Sequence, residues 1–403
     1  MEVFIPVDQA RAMITNILVR QPVVTVPFEE ALGMTLAEDI VSRDAIPPFA
    51  NSAMDGYAVR SADMAELPVT LREIDQIPAG VVSQNVITSG TCMKIMTGAA
   101  FPEGADAVAP IEWVDATVGD AVTFNRAPTS GQHVRPAGQD VSEGALVFNA
   151  GQLITPPVIG MLATLGYSSI DVYKPPVCAV IATGDELVAP GEPLMPGKIR
   201  NSSGAALRAQ VEAAGGIGLP ALLARDNRDS IATAIEKALE ADVLIFAGGV
   251  SVGDYDLVKD VLDEFGMSLL FWKVKQRPGK PLAFGQLQGK PVFGLPGNPV
   301  SSAMCFEQYV RPALAAMLGR TMHRRPLHPA LLLRETRKVA GLHFFARGIA
   351  TFGDDGQLYV EDTGPQASNL YASVVRANCI FHLPQALEAA PAGTPVVIEW
   401  LNW

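Results

Sequence analysis

The chain of 403 residues is 49% hydrophobic and only 18% charged, which supplies a large core and excludes a disordered segment. Its 30 basic against 42 acidic side chains give a formal charge of -12, which disfavours nonspecific binding to nucleic acid or to an anionic membrane surface. Cys92, Cys178, Cys305 and Cys379 are scattered without a C-x-x-C pair; this argues against a disulfide framework and a thiolate zinc site, and a reducing cytoplasm is the expected location.

The first residues, Met1 to Pro6, lack the basic and apolar regions of a signal peptide, so no export is expected. A helix is predicted from Asp8, with Ala10, Ile14, Ile17 and Leu18 on one face, and a second, shorter one over Phe28 to Ala37. Short β-prone runs bounded by Gly, Pro, Asn or Asp follow at Val69–Ile74, Cys92–Met96, Ala107–Ile111 and Ala121–Phe124, and read as an inserted all-β module. The uncharged stretch Gly144 to Ile170 is broken by Asn149, Gly151, Gln152 and the Pro156-Pro157 pair, so no membrane span is expected; Pro156 opens a helix to Leu165.

From Val177 the pattern becomes that of a doubly wound α/β unit. Apolar strands at Val177–Ala182, Leu219–Leu223 and Asp242–Ala247 alternate with amphipathic helices at Ser203–Ala214 and Ser230–Glu240. A strand pair, Pro281–Phe284 and Pro291–Leu295, precedes a helix over Pro299–Leu318, and five β-prone runs beyond His328 predict a β-barrel or sandwich. The expected architecture is multidomain α/β plus all-β. Residues 1–45 and 145–175 form a discontinuous helical domain, 46–144 an inserted β module, 176–325 the α/β domain and 326–403 a C-terminal β-barrel.

In open α/β sheets ligands bind beyond the carboxyl ends of the strands. There the sequence places Thr183-Gly184-Asp185-Glu186, then Gly248-Gly249-Val250-Ser251 running on to Asp256, then Pro296-Gly297-Asn298-Pro299-Val300-Ser301. Paired glycines let backbone N–H groups approach a phosphate, and a helix opened by Pro299 presents a positive end to an anion. Each motif alone is as well explained by a tight turn or a helix start; their convergence favours a phosphate-sized site, and neither G-x-G-x-x-G nor the P-loop pattern is present. Lys273, Lys275 and Arg277 alternate along an expected strand and would share a face, and Lys280 follows in the turn. Carboxylates occupy loops where a core needs none: Asp55, Asp140, Glu186, Asp226, Asp254 and Asp256. In such number, oxygen ligands suit Mg²⁺ bridging to a phosphate, although any one of them could simply cap a turn. The histidines lack metal-ligand spacing.

Together, Pro47-Pro-Phe-Ala-Asn-Ser-Ala-Met-Asp-Gly-Tyr-Ala, Ile95-Met-Thr-Gly-Ala, Thr183-Gly-Asp-Glu-Leu, Gly248-Gly-Val-Ser-Val-Gly-Asp, Pro278-Gly-Lys-Pro and Gly294-Leu-Pro-Gly-Asn-Pro-Val-Ser resemble the MoeA family of molybdopterin molybdenumtransferases, which includes the enzymatic domain of gephyrin. The resemblance spans nearly the whole chain and implies an elongated homodimer of four-domain subunits. It also implies a reaction in which adenylylated molybdopterin and molybdate, with Mg²⁺, give molybdenum cofactor and AMP. Gly248, Gly249 and Ser251 would then hold pterin phosphate or pyrophosphate, with Thr183 beside them. Lys273, Arg277 and Lys280, with Pro296, Pro299 and Ser301, would attract phosphates and molybdate. Glu186, Asp226 and Asp256 would hold Mg²⁺ or orient water, with Glu186 and Asp256 as the metal ligands. Asp55, Thr97, Arg135 and Asp140 match family positions on the β module and would face the α/β domain of the partner subunit. Arg277 stands where several relatives carry lysine, and Gln366-Ala-Ser-Asn replaces a Gln-Gly-Ser type of sequence around Ser368. A molybdopterin adenylyltransferase and apo-molybdoenzymes are the implied partners. A noncatalytic cofactor-binding scaffold would use the same glycines and lysines but gains nothing from the carboxylates; an adenylyltransferase would need only the α/β domain.

Overall fold

A computed structural model describes residues 1–249 and 257–401. Chain contacts divide it into two compact units, one built from Met1–Glu38, Ala150–Ile159 and Ser168–Trp403, the other from Asp39–Asn149 and Gly160–Tyr167.

At the centre of the first unit Val177–Thr183, Val243–Ala247 and Lys290–Leu295 lie side by side and parallel. They read as unbroken apolar runs because both faces are covered. Along them side chains alternate between two cores. Val180, Ile245 and Phe293 face Leu207 and Val211 of helix Ser202–Ala213, while Ile181, Leu244 and Val292 face Ile231 and Ile235 of helix Arg228–Ala238 and Val258 of helix Leu257–Glu264. Each fully buried aliphatic or aromatic side chain contributes about 1.5–3 kcal/mol, so the central strands anchor the unit. Asn201 and Asn227 cap the first two helices, accepting from the amides of Gly204 (2.8 Å) and Ser230 (2.9 Å).

The sheet is mixed rather than wholly parallel. Lys290–Leu295 folds back on Ala283–Leu287, which pairs antiparallel with Ser268–Val274. The outer edge is Glu2–Ile5, parallel to Ser268–Val274, a strand that local pattern did not reveal. Helix Val7–Thr15 follows, with Ala10 and Ile14 buried; Asp8 lies in its first turn and Pro6 occupies the cap. The helix expected over Phe28–Ala37 is absent. Phe28–Glu30 makes one 3₁₀ turn, Gly33 adopts φ +81°, and Thr35 and Leu36 form bridges with Leu153 and Val172. A left-handed glycine ends a helix before its amphipathic face can pack. Val23–Pro27 pairs instead with Ser169–Tyr173, so the amino-terminal segments are less helical than their apolar spacing predicts.

The five carboxy-terminal strands, Leu327–Leu332, His343–Phe352, Leu358–Asp362, Cys379–Leu383 and Pro395–Trp400, close through the pairing of the second with the fourth into a barrel. Gln276–Arg277 attaches to it, parallel to His343–Phe344. The second unit is a six-stranded sheet in the order Ala107–Pro110, Gly56–Val59, Thr91–Ile95, Val69–Ile77, Ala121–Phe124, Val114–Val118. It confirms the all-β runs, with Tyr57, Cys92 and Phe124 on one face and Ala58, Met93 and Ile95 on the other.

Candidate active site

Four parallel strands of the first unit end at one cleft of about 700 Å³. Thr183 to Glu186, Asp226, Gly248 and Gly249, and Pro296 to Asn298 line it, joined by Leu257 and Pro281. Thr183, Glu186, Asp226, Gly248, Gly249 and Pro296 are thus brought together as the strand-end rule predicts. Gly248 and Gly249 have φ of +104° and +67°. A Cβ on the first would sit 2.9 Å from the Thr183 carbonyl oxygen, and one on the second 2.2 Å from Val258 Cγ2, so only glycine fits either position. The Thr183 hydroxyl, on a residue 6% exposed, has no hydrogen-bond partner among the described residues. A Cβ on either glycine would lie 3.0 Å from it, so it faces the glycine pair. Leaving a buried hydroxyl unpaired costs about 1–3 kcal/mol, a cost that an acceptor bound in the cleft removes.

The acidic rim is laced by its own backbone. The Asp185 amide donates to Asp226 Oδ2 and the Asp226 amide to Asp185 Oδ1, both at 3.2 Å. Arg225 Nη1 donates to the carbonyls of Asp185 (3.0 Å) and Leu187 (3.3 Å), and Lys198 Nζ to that of Asp185 (2.6 Å). Glu186 is exposed beside them. These hard oxygen donors have the chemistry of a Mg²⁺ site, although among the described residues no three form a ligand cluster. Ser251, Asp254 and Asp256 lie outside the described residues.

The basic residues do not share one strand face. Lys273 has φ +66°, which breaks the alternation, and its strand ends at Val274. The Lys273 ammonium stacks on Trp272 at 3.7 Å, Lys275 and Lys280 approach Phe4 at 5.6 and 4.9 Å, and Arg277 lies 5.5 Å from the Phe344 ring. Lys280 nevertheless directly precedes Pro281 of the cleft wall. Pro299 opens helix Pro299–Cys305, and Ser301 is buried within it.

Sequence reasoning missed Arg347. It is fully buried in the barrel, where Nη2 donates to the Ala367 carbonyl (3.3 Å) while Nε and Nη1 have no partner among the described residues. Burial first, then the neighbouring charge of Arg277, holds its guanidinium down to about 10. Gln366 clasps the Arg347 backbone, accepting from its amide (2.9 Å) and donating to its carbonyl (3.1 Å), which places the loop of half-buried Ser368 beside it. The available signal was a lone cation inside the apolar run Phe344–Ala350, since arginine is seldom buried without a partner.

Asp55, Thr97, Arg135 and Asp140 belong to the second unit and are all exposed. Asp55 Oδ1 accepts from the Thr97 amide and hydroxyl, both at 2.7 Å, and these bonds, the amide first, hold its carboxyl below the usual range. Gly56 must follow, because a Cβ there would lie 2.1 Å from the Ala109 carbonyl oxygen. Asn51–Ser52 pairs with Val134–Arg135. The Asp140 amide donates to the Ile46 carbonyl (2.9 Å), so Asp140 lies against one end of the Ile46–Gly56 segment and Asp55 within the other.

Comparison with known proteins adds three matches along the chain: the MoeA N-terminal region (domain I and II) over residues 5–166, a probable molybdopterin binding domain over 179–316, and the MoeA C-terminal region (domain IV) over 329–401. A molybdopterin molybdenumtransferase from Haemophilus influenzae is 37% identical over 93% of both chains. Molybdopterin molybdenumtransferase 2 from Mycobacterium tuberculosis is 36% identical over 93% of this chain and 94% of its own. The crystal structure of a molybdopterin biosynthesis MoeA protein from Pyrococcus horikoshii superposes with a TM-score of 0.84 at 30% identity, covering 99% of this chain and 100% of that one.

Proposed function

This chain belongs to the MoeA family, and from that membership and the cleft we propose that it is a molybdopterin molybdenumtransferase acting in molybdenum cofactor biosynthesis. Its reaction takes adenylylated molybdopterin and molybdate to molybdenum cofactor and AMP. The observation that carries this reading is the buried Thr183 hydroxyl, without a partner among the described residues, facing Gly248 and Gly249 at the ends of parallel strands, the arrangement a phosphate group fills.

In this reading Thr183 donates to a phosphate oxygen that the glycine backbones allow to approach closely. Glu186 and Asp226, with Asp256, hold Mg²⁺. When bound, Mg²⁺ neutralises phosphate charge and polarises the phosphoanhydride toward water. The lacing of Asp185 to Asp226 keeps two carboxylates on that rim. Arg277 and Lys280, both exposed, draw the molybdate dianion, and the buried Arg347 guanidinium adds positive charge behind Arg277. Asp55, Thr97, Arg135 and Asp140 complete the cleft of a partner subunit in a homodimer. The enzyme works in the cytoplasm, between a molybdopterin adenylyltransferase and the apo-molybdoenzymes.

The test is AMP release from adenylylated molybdopterin by the purified protein, with and without molybdate and Mg²⁺, alongside activation of a cofactor-free molybdoenzyme. Release that requires both ions, with activation, is the expected result. Tight binding without release would replace this reading with a cofactor scaffold, and ATP consumption with molybdopterin would replace it with an adenylyltransferase.

A further inference from the structure

The turn carrying Arg277 and Lys280 is fixed from beneath by two buried polar side chains. At its base the amides of Lys273 and Val274 donate to the carbonyls of Leu282 (2.8 Å) and Lys280 (2.9 Å). At its tip the Gly279 carbonyl accepts from Gln276 Nε2 (3.0 Å), which also reaches Cys305 Sγ (3.4 Å). Gln276 Oε1 accepts from the Tyr309 hydroxyl. Both residues are 1% exposed. Tyr309 belongs to a π-helical turn, Phe306–Val310, inside the long helix that starts at Pro299; such a turn re-aims side chains and recurs at functional sites. Gly279 has φ +84°, and a Cβ on it would lie 2.2 Å from Cys305 Sγ, so the turn is seated directly on that helix.

Tyr309 otherwise belongs to the same buried apolar cluster as Val274, Leu282, Phe306 and Val310, with the Arg11 guanidinium 6.0 Å from its ring. An apolar pair would fill this space without desolvating an amide and a hydroxyl. The polar pair does what an apolar one cannot: it fixes the Gly279 carbonyl, and with it the directions in which the flanking Arg277 and Lys280 leave the turn. We propose that Gln276 and Tyr309 are positioning residues for binding of the anionic substrate, acting through Arg277 and Lys280 and touching no substrate themselves. This inference rests on the molybdenumtransferase reading for the identity of the anion.

The experiment measures molybdate dependence of AMP release, and molybdate affinity by calorimetry, on the full chain and on Gln276→Leu, Tyr309→Phe, Arg277→Ala and the Gln276→Leu/Arg277→Ala double variant. Gln276→Leu should raise the molybdate KM and Kd about tenfold, the scale of one unmet buried hydrogen bond, with kcat close to that of the parent. Tyr309→Phe keeps the ring, and so the packing, and should raise both about threefold; it decides the matter if Gln276→Leu does not fold. In the Arg277→Ala background Gln276→Leu should add clearly less than its roughly tenfold effect in the parent, because only the part of its action that runs through Lys280 remains. Loss of thermal stability with unchanged KM and Kd, or effects that multiply in full in the double variant, would overturn the proposal. If the parent binds molybdate but releases no AMP, the molybdenumtransferase reading fails, while calorimetry on the same proteins still decides the role of Gln276 and Tyr309.

Discussion

Asp185 and Asp226 each donate a backbone amide to the other's carboxylate, at 3.2 Å in both directions. Two like charges can share one rim because each is met by an N–H, and Arg225 and Lys198 add positive charge at the Asp185 carbonyl. Asp226→Asn keeps an acceptor oxygen and so keeps the loops joined, but removes the charge that a divalent cation needs. Its melting temperature should stay near that of the parent while AMP release at limiting Mg²⁺ falls at least about tenfold, the loss of a charge-assisted contact. Full activity in Asp226→Asn would remove this residue from the catalytic set.

Gly249 and Gly266 separate backbone strain from loss of the site. Both have positive φ, +67° and +85°, but a Cβ on Gly249 meets Val258 Cγ2 at 2.2 Å whereas one on Gly266 meets nothing within 4 Å. Gly266→Ala should cost about 1 kcal/mol in urea unfolding and leave substrate affinity alone. Gly249→Ala should cost more, because Val258 must move within a filled core, and should weaken binding of adenylylated molybdopterin. Equal effects from the two substitutions would show that the Gly249 conformation has no part in the site.

The strands that build the cleft were legible because Val177–Thr183 and Val243–Ala247 are buried on both faces and therefore uniformly apolar, which also identified the loops after them. The barrel strands were legible for a related reason, their bounded alternation, but closure was not: it depends on His343–Phe352 meeting Cys379–Leu383, a long-range pairing. Glu2–Ile5 was hidden in the same way, since its partner is Ser268–Val274. Local rules failed where one residue reverses the backbone, as Lys273 and Gly33 do. Arg347 escaped because its burial, with Nε and Nη1 unpartnered among the described residues, depends on how the barrel closes around it, which no spacing encodes.

Asp55 is exposed, so its lowered carboxyl owes little to its surroundings beyond Thr97. Thr97→Ala removes the hydroxyl donor and leaves the amide, so the Asp55 carboxyl should move up toward its ordinary value in a carbon-detected NMR titration. A carboxyl lowered by folding contributes stability above its unfolded pKa and loses it as pH falls through the folded one. The variant should therefore lose that contribution at higher pH than the parent. An unchanged Asp55 titration would show that the amide alone sets the value.

His343 ties the barrel to acid sensitivity. Its ring lies 4.5 Å from that of Phe345, and its Nε2 is 3.3 Å from His382 Nδ1; His382 in turn meets Glu399 at 3.0 Å. Burial first, then the charges of His382 and Arg11, bring the imidazole down to about 3, with Lys338 adding slightly and Asp8 opposing. An unfolded histidine titrates near about 6.5, so between that value and about 3 the unfolded chain binds the extra proton. Stability from this group is complete above the unfolded pKa and falls as the medium is acidified, by at most about 1.4 kcal/mol per pH unit. His343→Leu should fill the same apolar contacts and flatten the decline in unfolding free energy between about pH 6.5 and 4. A His343 imidazole resonance that titrates near pH 6 in the folded protein would show instead that the ring stays hydrated and contributes nothing to that decline.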